Sequence, residues 1–195
     1  MKKLLPWIVV LGILAIIALW GVNVYNGFVT AQEEVESAWS QVENQYQRRS
    51  DLIPNLVATV KGYATHEEET LEGVISARAK ATQITIDPTN ATPEQLAAFQ
   101  SAQGELSQAL GRLMAVAESY PELKANENFR DLQAQLEGTE NRITTARNLF
   151  NDTAKSYNTS IRRFPNNIIA GICGFEKRPY FEADENAKTA PKVEF

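Results

Sequence analysis

The residues best suited to chemistry lie around the only histidine of the chain, in the run His66-Glu67-Glu68-Glu69. An imidazole beside carboxylates is able to bind zinc or transfer protons. A zinc-protease helix needs a second histidine four residues after the first, however, and Thr70 occupies that position. Because consecutive carboxylates point to different faces of a helix, we interpret the run as a solvated acidic first turn, which the helix dipole favours. The run predicts neither a metal site nor a cofactor site.

Two candidate nucleophiles lack the neighbours that catalysis requires. Ser40 has no adjacent base and no glycine-rich elbow. Cys173 lies in an apolar segment, which is typical of a buried and unreactive thiol. A single cysteine also forms neither an internal disulfide nor a thiolate metal cage. The sequence therefore predicts a protein that is not an enzyme.

A third set of polar residues interrupts two stretches of otherwise apolar helical pattern. Its members lie around residue 50 and at residues 140–147, and they are Arg48, Arg49, Asp51, Asn55, Glu140, Asn141, Arg142 and Arg147. If the two stretches meet, these side chains would form a layer of charge-assisted hydrogen bonds. We favour a structural role for the layer, since buried polar groups penalise wrong helix pairings. A ligand site or partner-peptide site built from the same residues is the alternative.

Composition restricts the class of protein that positions these residues. The 195 residues include 19 Lys and Arg against 24 Asp and Glu, and the net charge of −5 argues against a nucleic-acid partner. Only 10 Gly and 8 Pro occur, which favours helices over sheets. The length suffices for one ordinary domain plus a segment or two.

The N-terminal segment is predicted to cross a membrane. Residues 4–24 carry no charge, and as a helix they would extend roughly 32 Å, the thickness of a bilayer hydrocarbon core. Lys2 and Lys3 precede them, which predicts an N-terminus inside and a bundle outside the cytoplasmic (inner) membrane, periplasmic in a cell with an outer membrane. Cleavage after Ala31, as in a signal peptide, is the alternative. The apolar run exceeds a usual signal core of about 7–15 residues, which favours a single-pass anchor.

The pattern after the anchor is typical of amphipathic helices. A first seam recurs in steps of three and four at Val35, Trp39, Val42, Tyr46, Arg49, Ile53, Leu56, Val60 and Tyr63. Pro54 interrupts this helix, because proline lacks an amide donor and disfavours helical backbone in the preceding residue. Two interpretations remain open, one long kinked helix or a tight turn at residues 48–54. We favour the turn, although the unbroken phase of the seam supports the long helix.

The later chain contains clearer helix boundaries. Thr92 and Gln95 form a capping-box pattern that predicts the start of one helix. Asn126 predicts the cap of the next helix, and Pro165 predicts its end.

These elements predict an all-α protein in three parts, an N-terminal transmembrane helix, an antiparallel four-helix bundle and a non-helical C-terminal tail. The cytoplasmic N-terminus and anchor occupy residues 1–25, the extracytoplasmic bundle residues 26–165, and the tail residues 166–195. The tail begins as an apolar-aromatic strip that is expected to contact the bundle base, the bilayer interface or a neighbouring subunit through Ile168, Ile169, Ile172, Phe175, Tyr180 and Phe181. The last residues, 182–195, are polar and predict a mobile end.

Several motifs of the sequence resemble one known family. The most specific is RRSDLIPNLV at residues 48–57, and others are AWSQV at residues 38–42, VKGYA at residues 60–64 and AVAESYP at residues 115–121. On these motifs the chain resembles the bacterial LemA family, from its anchor to about residue 181. The resemblance implies a single-pass membrane protein with an extracytoplasmic four-helix bundle and no established enzymatic activity.

Anchor and bundle together predict a structural function. We expect an envelope scaffold that contacts membrane lipid through residues 4–24 and forms a homo-oligomer, because tethered helices share one plane and one orientation. An accessory binding subunit for a membrane protease or another envelope protein is the alternative.

Overall fold

The computed structural model describes residues 5–64 and 66–182, and every regular element within them is an α-helix. The helices are α1 (Leu5–Lys61), α2 (Glu68–Gln83), α3 (Pro93–Ala117), α4 (Pro121–Ala125), α5 (Glu127–Arg162) and α6 (Asn166–Cys173). No β-strand occurs in these described residues, and the predicted all-α class is confirmed. The predicted mobile end lies outside the described residues, apart from Glu182.

Helix α1 passes through Pro54 without a break, and its 57 residues join the apolar segment to the bundle. The turn favoured at residues 48–54 is therefore wrong, and the chain reverses between α1 and α2 instead. One reason is that the apolar seam keeps its helical phase on both sides of the proline, so one continuous face is buried. The other is that Arg78 of α2 bonds the carbonyl that the proline leaves without its helical donor.

The four longest helices run up, down, up and down, as an antiparallel four-helix bundle. Helix α1 rises from the apolar segment, α2 and α3 form a shorter hairpin against its upper part, and α5 descends alongside α1. Helix α5 has 36 residues, so it accompanies α1 over about 54 Å. It returns the chain to the level of the apolar segment.

Two clusters of buried apolar side chains fill the bundle. The lower cluster includes Trp39, Phe150 and Tyr157, and the upper cluster includes Leu56 and Leu113. The two meet near the middle of the bundle, where α1 places Arg49 between them.

The predicted helix caps are confirmed. The hydroxyl of Thr92 accepts from the amide of Gln95, and the Gln95 side chain accepts from the amide of Thr92. The side chain of Asn126 accepts from the amide of Phe129 at 3.0 Å. These bonds satisfy donors that the first turn of each helix leaves free.

The tail is helical in its first part, which corrects the expectation of a wholly non-helical tail. After Pro165 the chain forms the eight residues of α6. An apolar segment beside the bundle needs partners for its backbone groups, and a helix supplies them internally. Gly174 ends α6 with φ 75°, a left-handed conformation that suits glycine. Residues 175–182 then run along the bundle without regular secondary structure, and we call them the tail segment.

The apolar start of α1 stands apart from the bundle. It is long and apolar enough to cross a membrane, and none of its most apolar stretch is buried in the protein. Exposed side chains there include Trp7, Ile13 and Leu19.

Candidate functional site: a buried arginine layer and a clamped tail

Arg49 is the most deeply buried charged residue in the described part of the chain. It takes one position of the α1 seam, and its side chain is 1% exposed. At this level the buried face of α1 faces α3 and α5, so the guanidinium lies between helices rather than in solvent. Its Cζ also lies 5.1 Å from the centroid of the Tyr46 ring.

The guanidinium of Arg49 bonds two other helices. Nη1 donates to Glu140 Oε1 of α5 and to Ser107 Oγ of α3, each at 2.8 Å. Nη2 donates to the backbone carbonyl of Gln103 at 3.3 Å and to its side-chain Oε1. We call Arg49, Gln103, Ser107 and Glu140 the Arg49 layer.

The Arg49 layer extends to α2 as well. Gln103 Nε2 donates to the carbonyl of Ala81 at 3.3 Å, near the end of α2. All four bundle helices are thus joined at one level. Because both terminal nitrogens of Arg49 are engaged, the layer is suited to fixing helix register.

Most of the predicted polar residues lie elsewhere. Of the eight, Arg49 and Glu140 meet, whereas Arg48, Asp51, Asn55, Asn141 and Arg142 are exposed. Arg147 is half-buried and reaches the tail segment, where Nη2 donates to the carbonyl of Glu182 at 3.1 Å.

Sequence reasoning missed Gln103 and Ser107. Gln103 continues the apolar stripe of α3, since it precedes Leu106 by three residues and Leu110 by seven. A polar residue in phase with a buried stripe was therefore a usable signal. Ser107 is exposed beside the stripe and carried no such signal.

The tail segment is held by side-chain amides that each bond both backbone groups of one residue. Asn158 Nδ2 donates to the carbonyl of Arg178 at 2.8 Å, and the amide of Arg178 donates to Asn158 Oδ1 at 2.8 Å. Asn151 pairs in the same way with Phe181, at 2.9 Å in both directions. We call such a pair an amide clamp.

A third amide clamp comes from α3. Gln100 Nε2 donates to the carbonyl of Glu182 at 2.7 Å, and the amide of Glu182 donates to Gln100 Oε1 at 3.3 Å. Each clamp bonds both backbone groups of one tail residue, which is a way of recognising an extended chain, and Asn158 also donates to the hydroxyl of Tyr180.

The helix and the tail segment have matching spacings. Asn151 and Asn158 are seven residues apart on α5, which is about 10.5 Å along the axis. Arg178 and Phe181 are three residues apart, and an extended chain covers about 10 Å over that distance. The distance between the two clamps along α5 is therefore about the same as the distance between the two residues that they bind in the tail segment.

Phe181 supplies the side-chain specificity of the tail segment. It is 6% exposed and stacks on Trp39, with ring centroids 5.8 Å and planes 10° apart. Phe150 meets it edge-on at 5.5 Å, and the Arg147 guanidinium lies 4.7 Å from its centroid. An aromatic pocket on α1 and α5 thus receives this ring.

The other predicted tail residues divide into covered and open positions. Ile169 is half-buried against α1, and Phe175 packs edge-on against Phe28 at 5.1 Å. Tyr180 is 43% exposed, and its hydroxyl accepts from Asn158 at 2.9 Å. Ile168 and Ile172 are exposed.

Sequence reasoning missed the clamp residues. Asn151 and Asn158 each follow a seam residue, Phe150 and Tyr157, and a helical spacing of seven places both on one side of α5. That repeat was a weak signal, since an asparagine beside a seam is equally typical of a solvated position.

The residues first considered for catalysis are dispersed. His66 is exposed in the connection between α1 and α2, and the Ser40 hydroxyl donates to the backbone carbonyl of Glu36 at 3.1 Å.

Cys173 is exposed, so the prediction of a buried thiol is wrong. The residues of α6 that pack against the apolar cluster of the bundle are Ile169 and Ala170. In the part of the chain that the structure describes, no group of three His, Cys, Asp or Glu is placed to hold a metal ion.

Comparison with known proteins identifies a family and its relatives. The sequence model of the LemA family matches residues 38–195. Magnetosome protein MamQ 2 of Paramagnetospirillum magneticum is 31% identical over 175 residues, which cover 81% of this chain and 64% of that protein. Protein LemA of Metamycoplasma hominis is 26% identical over 160 residues, which cover 82% of this chain and 69% of that protein.

Magnetosome protein MamQ of Magnetospirillum gryphiswaldense is similar to the same extent. It is 30% identical over 174 residues, which cover 80% of this chain and 64% of that protein. The chain thus spans slightly less than two thirds of the length of the MamQ relatives. Together with the apolar start of α1, these similarities indicate a membrane-associated helical protein.

Proposed function

We propose that this chain, which belongs to the LemA family, is a non-catalytic scaffold that stands on a membrane and assembles with copies of itself in the cell envelope. The continuity of α1 carries the proposal, since one helix of 57 residues contains both the apolar segment and a wall of the bundle. A helix with its backbone bonds satisfied resists bending, and the carbonyl freed by Pro54 is bonded by Arg78. The bundle is therefore held in one orientation relative to its anchor.

The proposed topology is a single pass through the cytoplasmic membrane with the N-terminus inside. Lys2 and Lys3 support this orientation, because basic residues beside a membrane span are retained in the cytoplasm. The bundle then stands on the outer face. Copies anchored in this way share one plane and one direction, which raises their effective concentration and favours lateral assembly.

Mass measurement in a native membrane environment tests assembly. The full chain, extracted in polymer nanodiscs, should sediment as a multimer across a wide concentration range. A matched chain in which residues 4–24 are replaced by an unrelated transmembrane helix should also assemble, since the bundle supplies the contacts. A strictly monomeric full chain at every concentration would overturn the proposal.

The amide clamps favour a second candidate, an accessory subunit that holds a peptide of another envelope protein. A groove that bonds backbone groups accepts any extended chain with an aromatic residue in the place of Phe181. A photo-crosslinking residue at Tyr180 in living cells distinguishes the candidates. Crosslinks between copies of the chain, with no foreign protein, favour the scaffold. One recurring foreign partner favours the accessory subunit. The same residue at Ile75, exposed on α2, is the control.

A further inference from the structure

Helix α6 lies level with the end of the apolar segment of α1. A Cβ added to Gly21 would lie 3.7 Å from Ile169 Cδ1, so these two helices touch at Gly21. Just beyond α6, Phe175 packs edge-on against Tyr25 at 5.5 Å. Gly21 belongs to the uncharged run of residues 4–24. Helix α6 therefore lies beside the outer end of the proposed membrane span.

The side of α6 away from the bundle is apolar and open. Ile168 is 51% exposed, Ile172 is 77% exposed, and Phe164, just before the helix, is 78% exposed. Ile168 and Ile172 are four residues apart and so lie on one side of the helix. Large exposed apolar patches on a protein mark surfaces that another phase or partner covers.

Basic residues flank this apolar side. Arg162 and Arg163 directly precede Phe164 and are exposed, as is Lys177 beyond α6. Glu176 is the acidic residue of the same stretch. Apolar side chains beside arginine and lysine are typical of helices that lie in a membrane interface, where the cations meet lipid phosphates.

We infer that α6 is a second membrane contact, inserted in the interface of the outer leaflet with Phe164, Ile168 and Ile172 among the acyl chains. The inference rests on the proposed membrane span of residues 4–24. Eight residues of helix extend about 12 Å, too short to cross a bilayer, so α6 stays in one leaflet. Lipid is the occupant because the open side of α6 continues the lipid-facing surface of α1 at the height of Gly21. A second copy of the chain is the competing occupant.

Spin labels on single cysteines test the inference in the full chain. The protein carries Cys173→Ser and one of Ile172→Cys, Ile13→Cys or Ile75→Cys, and it is reconstituted in vesicles of three parts phosphatidylcholine to one part phosphatidylglycerol. Position 13 reports on the anchor, and position 75, on an exposed face of α2, reports on water. Power saturation then compares access of oxygen, which enters lipid, with access of a water-soluble nickel chelate.

The label at position 172 should resemble the label at position 13, with high oxygen access and nickel access several-fold below that at position 75. If nickel access at position 172 equals that at position 75 while position 13 is protected, the lipid contact of α6 is overturned and the membrane anchor is retained. Protection from both reagents with spin–spin broadening shows that a second copy covers α6, which also overturns it. Nickel access at position 13 overturns the anchor and the inference that rests on it.

Discussion

Arg78 Nε donates a hydrogen bond to the backbone carbonyl of Ser50 at 2.9 Å, and this carbonyl is the one that Pro54 leaves without a helical donor. In a regular helix the amide of residue 54 would bond that oxygen. Ser50 is buried, so solvent access to this level of α1 is restricted. A side chain of α2 thus satisfies the interrupted bond of α1, and α1 continues to Lys61.

Arg78→Leu should destabilise the bundle by about 1.5–3 kcal/mol, the range for a hydrogen bond from a charged donor. The loss should shrink in a Pro54→Ala background, because the amide of the new alanine occupies the carbonyl. Urea unfolding of the full chain in detergent, followed by circular dichroism, measures both values.

Arg112→Leu, on the exposed side of α3, is the control for Arg78→Leu and should change stability by less than about 0.5 kcal/mol. An equal loss from Arg78→Leu with and without Pro54 would show that the two residues are not coupled.

Removal of Glu140 should cost more than removal of Arg49. Glu140→Met leaves a guanidinium that is 1% exposed without its carboxylate, and breaking such a pair costs about 3–5 kcal/mol. Arg49→Met leaves a carboxylate side chain that is 44% exposed and that water hydrates. The double variant should therefore be more stable than Glu140→Met alone.

Unfolding free energies of the three variants test this asymmetry. Arg48→Met is the matched control, since Arg48 lies beside Arg49 on α1 but is exposed and should tolerate the change. A double variant less stable than Glu140→Met would show that the cost of Glu140→Met does not come from leaving the Arg49 charge buried without its carboxylate.

Loss of an amide clamp should release the tail segment without unfolding the bundle. Asn158→Leu removes two hydrogen bonds to Arg178, worth about 1–3 kcal/mol together, which opens the segment roughly 5- to 150-fold more often. Trypsin cleavage after Lys177 should accelerate by that factor when opening is fast relative to cleavage.

Helix content by circular dichroism should stay nearly constant in Asn158→Leu, because α5 ends four residues later and keeps its other contacts. Asn141→Leu, on an exposed position of α5, should leave the cleavage rate unchanged. Equal cleavage rates in all three proteins would show that the clamp does not hold the tail.

Tyr46 should make the bundle sensitive to alkali. Burial raises the pKa of Tyr46 above its ordinary 10.0, although Arg147 and Arg49 act in the opposite direction. A raised pKa in the folded state means that the contribution is fully present below pH 10.0 and is lost as the pH rises through the folded pKa. The stability advantage of the native chain over Tyr46→Phe should therefore shrink above pH 10.0. Parallel urea titrations below and above that pH measure it, and a constant difference would contradict the prediction.

The sequence by itself determined the all-α class, the buried seams, the caps at Thr92 and Asn126, and the apolar anchor segment. Each depends on contacts between residues three or four positions apart, or on the length of an uncharged run, and such patterns are complete within the local chain. The same periodicity correctly placed Arg49 on the buried face of α1.

Only the tertiary structure decided that α1 continues through Pro54, which partners Arg49 takes, and what Asn151 and Asn158 bind. The donor that bonds Ser50 comes from α2, the partners of Arg49 come from α3 and α5, and the clamps close on the tail segment. Local pattern does not identify such partners, because periodicity places a guanidinium or an amide on a buried face without indicating which group of another segment it will meet. The difference arises when distant segments pack and every buried polar group must find a partner.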